Sequence, residues 1–152
     1  MISEIIGADL EKSRLVERFI LQPRNGQGKL RYWLFKNNFV IEKELLVREG
    51  KFICEVLVAT AGAPPNAGNV RICGEPGSLR GEEKGKECAP DDIRFEVPAR
   101  LIKENGVLGL EFAKRRLMIE KQILSDIEKN GSSALEKKER QIGRIAYLSE
   151  LL

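Results

Sequence analysis

Three residues near the start of the chain, Gln22, Pro23 and Asn25, are the best candidates for binding a ligand. They follow a short apolar run, Leu15–Leu21, and a run of this length that ends at a proline indicates a buried strand rather than a helix. Open α/β sheets bind ligands at the carboxyl ends of their strands, where the amides of Gln22 and Asn25 can donate and accept hydrogen bonds. The alternative is a simple strand-ending turn, and the residues alone leave both interpretations open.

The residue types that the chain lacks exclude several kinds of catalysis. The chain of 152 residues has no histidine, which excludes histidine-dependent triads, histidine–metal sites and imidazole general bases. Its three cysteines, Cys54, Cys73 and Cys88, form no C-x-x-C pair and are too irregularly spaced for a disulfide framework, so no metal site is predicted. Cys54 lies in a predicted strand, where we expect a small buried apolar side chain. No residue is an obvious general base, and no catalytic residue is predicted.

Basic residues near the carboxyl end form a second candidate surface. The formal net charge of +3 permits a polyanionic partner without requiring one. Glutamates are interspersed among these basic residues, and mixed charge of this kind is typical of a solvated helix face. An RNA-facing surface is one interpretation, and an ordinary hydrated surface is the other. The basic residues concerned are Lys114, Arg115, Arg116, Lys121, Lys137 and Arg144.

The first 59 residues are predicted to fold as a helix, a strand, a second helix and a β-hairpin. Apolar residues recur at helical spacing over residues 1–14 and again over Leu30–Leu34. The second helix is expected to end near Asn37-Asn38, because asparagine tolerates the left-handed conformation of a helix end. Two apolar runs within Phe39–Ala59 flank Arg48-Glu49-Gly50, which predicts an antiparallel hairpin with a three-residue loop.

The rest of the chain divides into a polar segment and a helical one. Residues 60–93 are rich in glycine and proline and poor in large apolar side chains, which predicts a linker or insertion. Residues 94–152 predict two long helices joined at Asn130-Gly131, packed as an antiparallel, coiled-coil-like hairpin. Its apolar stripe is expected to contain Val107, Leu110, Leu117, Leu124 and Ile127, followed by Leu135, Ile142, Ile145, Leu148 and Leu152.

The chain shows no sign of a membrane or export signal. No apolar stretch approaches the roughly 20 residues of a membrane span. The start, Met1-Ile-Ser-Glu, lacks the basic and apolar regions of a secretory signal. We therefore expect a cytoplasmic protein without a membrane partner.

Four ordered segments carry a resemblance to a known family. They are Phe19-Ile-Leu-Gln-Pro23, Leu30-Arg-Tyr-Trp-Leu34, Asn37-Asn-Phe39 and Val47–Ala59. In this order they resemble the bacterial tRNA (adenine(22)-N1)-methyltransferase family, which methylates an adenine of the tRNA D arm. The resemblance implies an α/β fold, namely the C-terminal half of a class I methyltransferase (Rossmann-like) sheet followed by the helical hairpin. In such a sheet the last strand runs antiparallel and inserts beside its neighbour.

The resemblance also implies a division of the chain and a role for its parts. Residues 1–59 would be a partial methyltransferase domain, 60–93 the linker or insertion and 94–152 the hairpin. Gln22, Pro23 and Asn25 would lie near the target adenine, with either amide able to pair with its edge. The complete enzyme would use S-adenosylmethionine as cofactor and tRNA as partner.

The chain lacks the part of the methyltransferase domain that would hold the methyl donor. Class I enzymes hold S-adenosylmethionine with a glycine-rich turn after the first strand and an acidic residue after the second. Neither is found, and the family's Gly-Met-Gly-Gly motif would fall just before Met1. We expect a truncated, frameshifted or excised piece that alone binds no cofactor and is inactive, and that self-associates or pairs with a complementing N-terminal half. The alternative is a non-enzymatic module that binds RNA or protein through the hairpin.

Overall fold

The structure, a computed structural model, describes residues 2–62, 89–129 and 135–152. The chain forms two compact units, Met1–Glu96 and Val97–Leu152. The first contains α1 (Ile2–Gly7), α2 (Leu10–Ser13), β1 (Phe19–Leu21), α3 (Gln27–Lys36), β2 (Phe39–Glu49), β3 (Phe52–Ala61) and α4 (Ile93–Glu96). The second contains α5 (Ala99–Glu104), α6 (Gly106–Lys129) and α7 (Leu135–Glu150).

The predicted division at residues 59 and 93 remains a prediction, because most of the middle segment, with Cys73 and Cys88, lies outside the described residues. At its two ends the described structure continues the first unit. β3 extends to Ala61, and α4 belongs to the first unit rather than to the helical region.

A three-stranded sheet organises the first unit, with the strand order β1-β3-β2. β3 is antiparallel to both neighbours, and Leu57 of β3 lies opposite Leu21 of β1 and Glu44 of β2. The last strand along the chain therefore inserts between the other two, as the resemblance implied. Helices cover one face of this sheet, and the core there comprises Ile6, Leu21, Leu30, Leu34, Phe39, Leu57 and Ala59.

The start of the chain differs from the single helix predicted for residues 1–14. It forms α1 and α2, which are separate because Asp9 caps the second helix. The Asp9 carboxylate accepts a hydrogen bond from the backbone N–H of Lys12 at 3.1 Å. Aspartate is favoured at this position because its side chain satisfies an N–H that has no partner within the helix.

β1 is shorter and more exposed than predicted. The strand begins at Phe19, and Leu15 and Val16 are 85% and 41% exposed. Within β1, Leu21 enters the core, whereas Ile20 points to the other face and is 72% exposed. The prediction of a buried strand was wrong because successive side chains of a strand point to opposite faces, and only one face here is covered by helices.

The boundaries of α3 and the hairpin follow local turn chemistry. α3 ends at Lys36 with Asn37 as its C-cap, and Asn38 has the left-handed backbone (φ 61°) that was expected of this pair. The hairpin of β2 and β3 is confirmed, but its loop has two residues rather than three, because Glu49 and Phe52 still pair. Gly50 adopts φ 58°, a conformation that glycine reaches without a Cβ clash.

A buried ion network ties α3 to the sheet. The Arg31 guanidinium donates to Glu44 Oε1 at 2.6 Å and also to Glu55 Oε2, and all three side chains are almost fully buried. It further donates to the backbone carbonyl of Phe95 at 3.0 Å. Burial alone would lower the pKa of Arg31, but the two carboxylates outweigh it and raise that pKa above its ordinary value. Arg31 thus joins α3, both long strands and the segment that ends in α4.

The second unit contains the predicted helical hairpin, formed by α6 and α7, but its interior differs from the predicted stripe. Leu148 is fully buried, and Leu117, Leu124, Ile127 and Ile145 are half-buried. The remaining predicted positions were wrong, because they point to solvent in this unit. These are Val107, Leu110, Leu135, Ile142 and Leu152, which are 40–85% exposed.

A polar cluster occupies the centre of this hairpin instead. Glu120 of α6 is 1% exposed. Its carboxylate accepts hydrogen bonds from Gln141 Nε2 at 2.7 Å and Arg144 Nε at 2.9 Å, and Arg116 lies 3.4 Å away. Burial raises the pKa of Glu120, but the hydrogen bonds and charges of these partners outweigh it, so that its pKa lies below the ordinary value. The helices therefore pack around a satisfied charge rather than around a continuous apolar seam.

Candidate functional site

The three predicted ligand-binding residues line one cavity in the first unit. Its volume is about 270 Å³, and it lies at the carboxyl end of β1. The structure therefore brings Gln22, Pro23 and Asn25 together, although their role as substrate-binding residues remains a prediction. The other lining residues are Ile2, Ser3, Arg24, Gly26 and Leu30.

The loop that carries these residues is held at both ends. Pro23 is buried, and its backbone carbonyl accepts a hydrogen bond from Gln27 Nε2 at 3.3 Å. Gly26 takes the left-handed conformation (φ 67°) that begins α3, and its carbonyl accepts the N–H of Leu30 at 2.9 Å. Because the proline ring also restricts φ, the backbone between β1 and α3 is well positioned to present side chains.

Arg24 is the only charged residue among the lining residues of this cavity in the part of the chain that the structure describes. Sequence reasoning missed it, although it lies between two residues that were predicted. Ile2 and Ser3 were also missed, and only the packing of α1 against the loop brings them to the cavity. With aliphatic walls and two amides, the cavity can hold a planar polar group of modest size.

Cys54 interacts with two of the residues that line the cavity, Gln22 and Arg24. Its thiol is half-buried and donates to Glu49 Oε2 at 3.4 Å. This hydrogen bond raises the pKa of Cys54, and desolvation and the Glu49 charge raise it further. A hydrogen bond with Gln22 and the charge of Arg24 lower this pKa, but by less. The thiol therefore stays protonated at neutral pH. Its half-buried, hydrogen-bonded state also corrects the expectation of a purely apolar buried side chain.

The described lining of the cavity lacks the groups with which class I methyltransferases hold S-adenosylmethionine. The two glycines that follow β1 serve the fold of the chain: Gly26 forms the turn, and a Cβ on Gly28 would lie 2.6 Å from Glu96 Cγ. Gly28 is thus required by the packing of α3 against α4, not by the approach of a cofactor. Among the described residues that line the cavity there is no carboxylate of the kind that binds the ribose hydroxyls in class I enzymes.

The six predicted RNA-binding residues fall into three groups on the hairpin. The guanidinium groups of Arg116 and Arg144 lie beside the buried Glu120, at 3.4 and 2.9 Å, so they form part of the polar centre. Arg115 is half-exposed and paired with Glu111 at 2.6 Å. The three lysines are exposed on the surface of the unit; they are Lys114, Lys121 and Lys137.

Metal ligands and membrane spans are both lacking from the described ranges. Residues 2–62, 89–129 and 135–152 contain no cluster of three or more side chains able to hold a metal ion. Among the helices of that same part, none combines the length and apolar character needed to cross a membrane.

Three solved structures share the fold of this chain. A proposed tRNA (m1A22) methyltransferase from Streptococcus pneumoniae has a TM-score of 0.70 at 24% identity, and the B. subtilis m1A22 tRNA methyltransferase TrmK has 0.69 at 25%. A protein of the NADB-Rossmann superfamily from Streptococcus agalactiae has 0.68 at 21%. Each match covers 99% of this chain but only 56%, 57% and 54% of the other chain, respectively. The fold is therefore Rossmann-like, of the methyltransferase type, and the chain spans little more than half the length of these proteins.

A family model matches the first part of the chain. Residues 1–72 match the model of the tRNA (adenine(22)-N(1))-methyltransferase family, TrmK. The resemblance inferred from the ordered segments is therefore confirmed. The S. pneumoniae protein has also been solved in complex with S-adenosyl-L-methionine. A search of curated proteins finds no match.

Proposed function

We propose that this chain is the substrate-side part of a tRNA adenine-N1 methyltransferase that acts on an adenine of the D arm in the cytoplasm. The observation that carries the proposal is the cavity at the end of β1, where Gln22, Pro23 and Asn25 meet. It lies in the unit whose sequence matches the methyltransferase family. In this proposal the methyl donor is S-adenosylmethionine, held by residues other than those of the cavity.

Methylation of adenine at N1 requires that the base be positioned, and it requires no general base. The N1 atom of neutral adenine carries a lone pair, so it can form the new bond to carbon without losing a proton, and the methylated ring gains a positive charge. The amides of Gln22 and Asn25 can orient the base edge, and the aliphatic walls formed by Ile2 and Leu30 can hold its faces. The absence of a histidine is compatible with this role.

A second polypeptide segment is needed to complete the sheet in this proposal. β1 pairs only with β3 among the described strands, so no described strand covers its outer edge. Beside it lies an apolar face on which Ile20 and Val47 are exposed to 72% and 47%. An open strand edge with apolar neighbours favours pairing with another strand. The cofactor-binding half of the enzyme would add its strands at this edge, and without it the chain would self-associate.

The tRNA would also contact the helical hairpin. Lys114, Lys121 and Lys137 have no ion-pair partner in the described structure, and Arg115 is half-exposed. Such contacts bind the phosphate backbone with little regard to sequence and weaken steeply with salt. Arg116 and Arg144 would support the hairpin instead, because Glu120 holds both.

The test is reconstitution of activity with a complementing half. The chain is co-expressed with the N-terminal half of B. subtilis TrmK, and methylation of adenine 22 in tRNA is read as a stop in primer extension. We expect a stop only when both parts are present, and a loss of about tenfold or more when Asn25→Ala and Gln22→Ala are combined. The matched control is Gln122→Ala, an exposed glutamine on α6.

The outcome that contradicts the proposal is equally specific. If both parts form a stable complex without any stop, the chain is not the substrate side of this enzyme. If the chain binds tRNA with the same affinity after Gln22→Ala or Asn25→Ala, the result would favour the non-enzymatic module.

A further inference from the structure

Arg24 differs from the other arginines of the described structure. Every other arginine in residues 2–62, 89–129 and 135–152 has a partner within the chain. Arg24 has no hydrogen bond or ion pair within those ranges, and its one interaction there is electrostatic, with the Cys54 thiol. Within the part of the chain that the structure describes, a ligand could therefore bind its guanidinium without breaking a hydrogen bond or an ion pair.

The location of Arg24 indicates where a ligand of its guanidinium would lie. It lines the cavity beside Pro23 and Asn25, and the described lining includes no carboxylate that would neutralise it. Its backbone is held between the buried Pro23 and the turn at Gly26, so the base of a flexible cation is fixed at the cavity. An arginine so placed adds a positive charge and a planar set of donors to an otherwise neutral cavity.

The size of the cavity indicates what kind of group it can hold. A volume of about 270 Å³ lies below the roughly 300–1,000 Å³ typical of sites for drug-sized ligands. It is large enough for a single nucleobase. Enzymes that modify a base within a folded nucleic acid turn that base out of the stack, which brings its phosphates to the opening of the pocket.

Charge also argues against a contact with the base itself. Methylation at N1 leaves a positive charge on the ring, and a guanidinium against that ring would oppose it. The same guanidinium beside a phosphate gains a charge-assisted pair with two parallel hydrogen bonds. We infer that Arg24 is a positioning residue that binds the phosphate next to the target adenine; this rests on the proposed function.

The test measures binding of a D-arm RNA hairpin by the whole chain. Arg24→Gln should weaken binding by about tenfold, the equivalent of one charge-assisted hydrogen bond, and reduce the salt slope by about one. Arg24→Lys should recover part of the affinity. The control is Lys43→Gln, which removes the same charge from an exposed position of β2 outside the cavity, and it should change affinity little.

A second set of RNAs separates this role from a general effect of charge. In these RNAs a single phosphate is made neutral as a methylphosphonate, either next to the target adenine or in the loop. The neutral phosphate next to adenine should weaken the parent about as much as Arg24→Gln does, and should not weaken Arg24→Gln further. The loop substitution should affect the parent and Arg24→Gln equally.

Two results overturn the inference in distinguishable ways. If the parent binds the D-arm RNA and Arg24→Gln binds it equally well, or loses the same factor with every RNA, Arg24 does not contact that phosphate. If the parent fails to bind the D-arm RNA at all, the proposed function is wrong and this inference falls with it. Circular dichroism of each variant confirms that the exposed substitutions leave the fold intact.

Discussion

Replacing Arg31 with methionine should destabilise the first unit more than any exposed substitution. The Arg31 side chain is 3% exposed, and Glu44 and Glu55, its partners, are 6% and 5% exposed. Methionine has similar length but no charge, so two buried carboxylates and the carbonyl of Phe95 each lose the hydrogen bond that Arg31 donates. Breaking a buried ion pair from one side costs about 3–5 kcal/mol. This is a large part of the roughly 5–15 kcal/mol that stabilises a typical domain.

The assay is urea unfolding followed by the fluorescence of Trp33. It is the only tryptophan of the chain, and it stacks on Phe39 with ring centroids 5.9 Å apart, so it reports on the first unit. Arg94→Met is the matched control, because the Arg94–Asp92 pair is partly exposed, at 50% and 19%. Exposed pairs contribute about 0–1 kcal/mol, so this variant should unfold nearly as the parent does.

A triple variant tests the cost of the buried charges even if Arg31→Met fails to fold. Arg31→Met combined with Glu44→Leu and Glu55→Leu replaces the ions with apolar side chains of similar size. The triple variant should recover most of the lost stability, because it removes the two buried carboxylates together with the arginine. The reasoning is refuted if Arg31→Met costs no more than Arg94→Met, or if the triple variant is less stable than the single one.

Three further predictions concern the hairpin, the cofactor and the open strand edge. Because partners lower the pKa of Glu120, its stabilising effect is full above the unfolded value of about 4.3 and is lost as pH falls through the lower folded value. Helicity at 222 nm during urea unfolding should therefore show the parent more stable than Glu120→Gln at pH 7, with the difference shrinking below about pH 4; a constant difference would contradict this. Calorimetric titration with S-adenosylmethionine should show no binding by the chain alone, and micromolar affinity would overturn the expectation that the cofactor is held by another segment. Light scattering at high concentration should show self-association that Ile20→Lys reduces more than Val47→Lys does, whereas a monodisperse parent would show that the open edge of β1 is harmless.

The sequence by itself determined the elements whose boundaries depend on local chemistry. Asn37 and Asn38 end α3 because asparagine tolerates the left-handed backbone, and Gly50 turns the hairpin for a similar reason. Proline and glycine likewise indicate the loop after β1, and Gln22 and Asn25 in that loop could therefore be predicted as ligand-binding residues. These signals act within a few residues, so they can be read before any tertiary contact is known.

Tertiary structure decided which faces are covered and which charges are used. The apolar residues Ile20 and Leu110 looked like core residues from their spacing, yet they are exposed, because periodicity names a face without saying what packs on it. Conversely, Glu120 looked like part of a solvated surface and is buried, because Gln141 and Arg144 approach from another helix. Arg24 and its cavity depend on the same kind of long-range packing: only the approach of α1 to the loop after β1 encloses the space that the arginine borders.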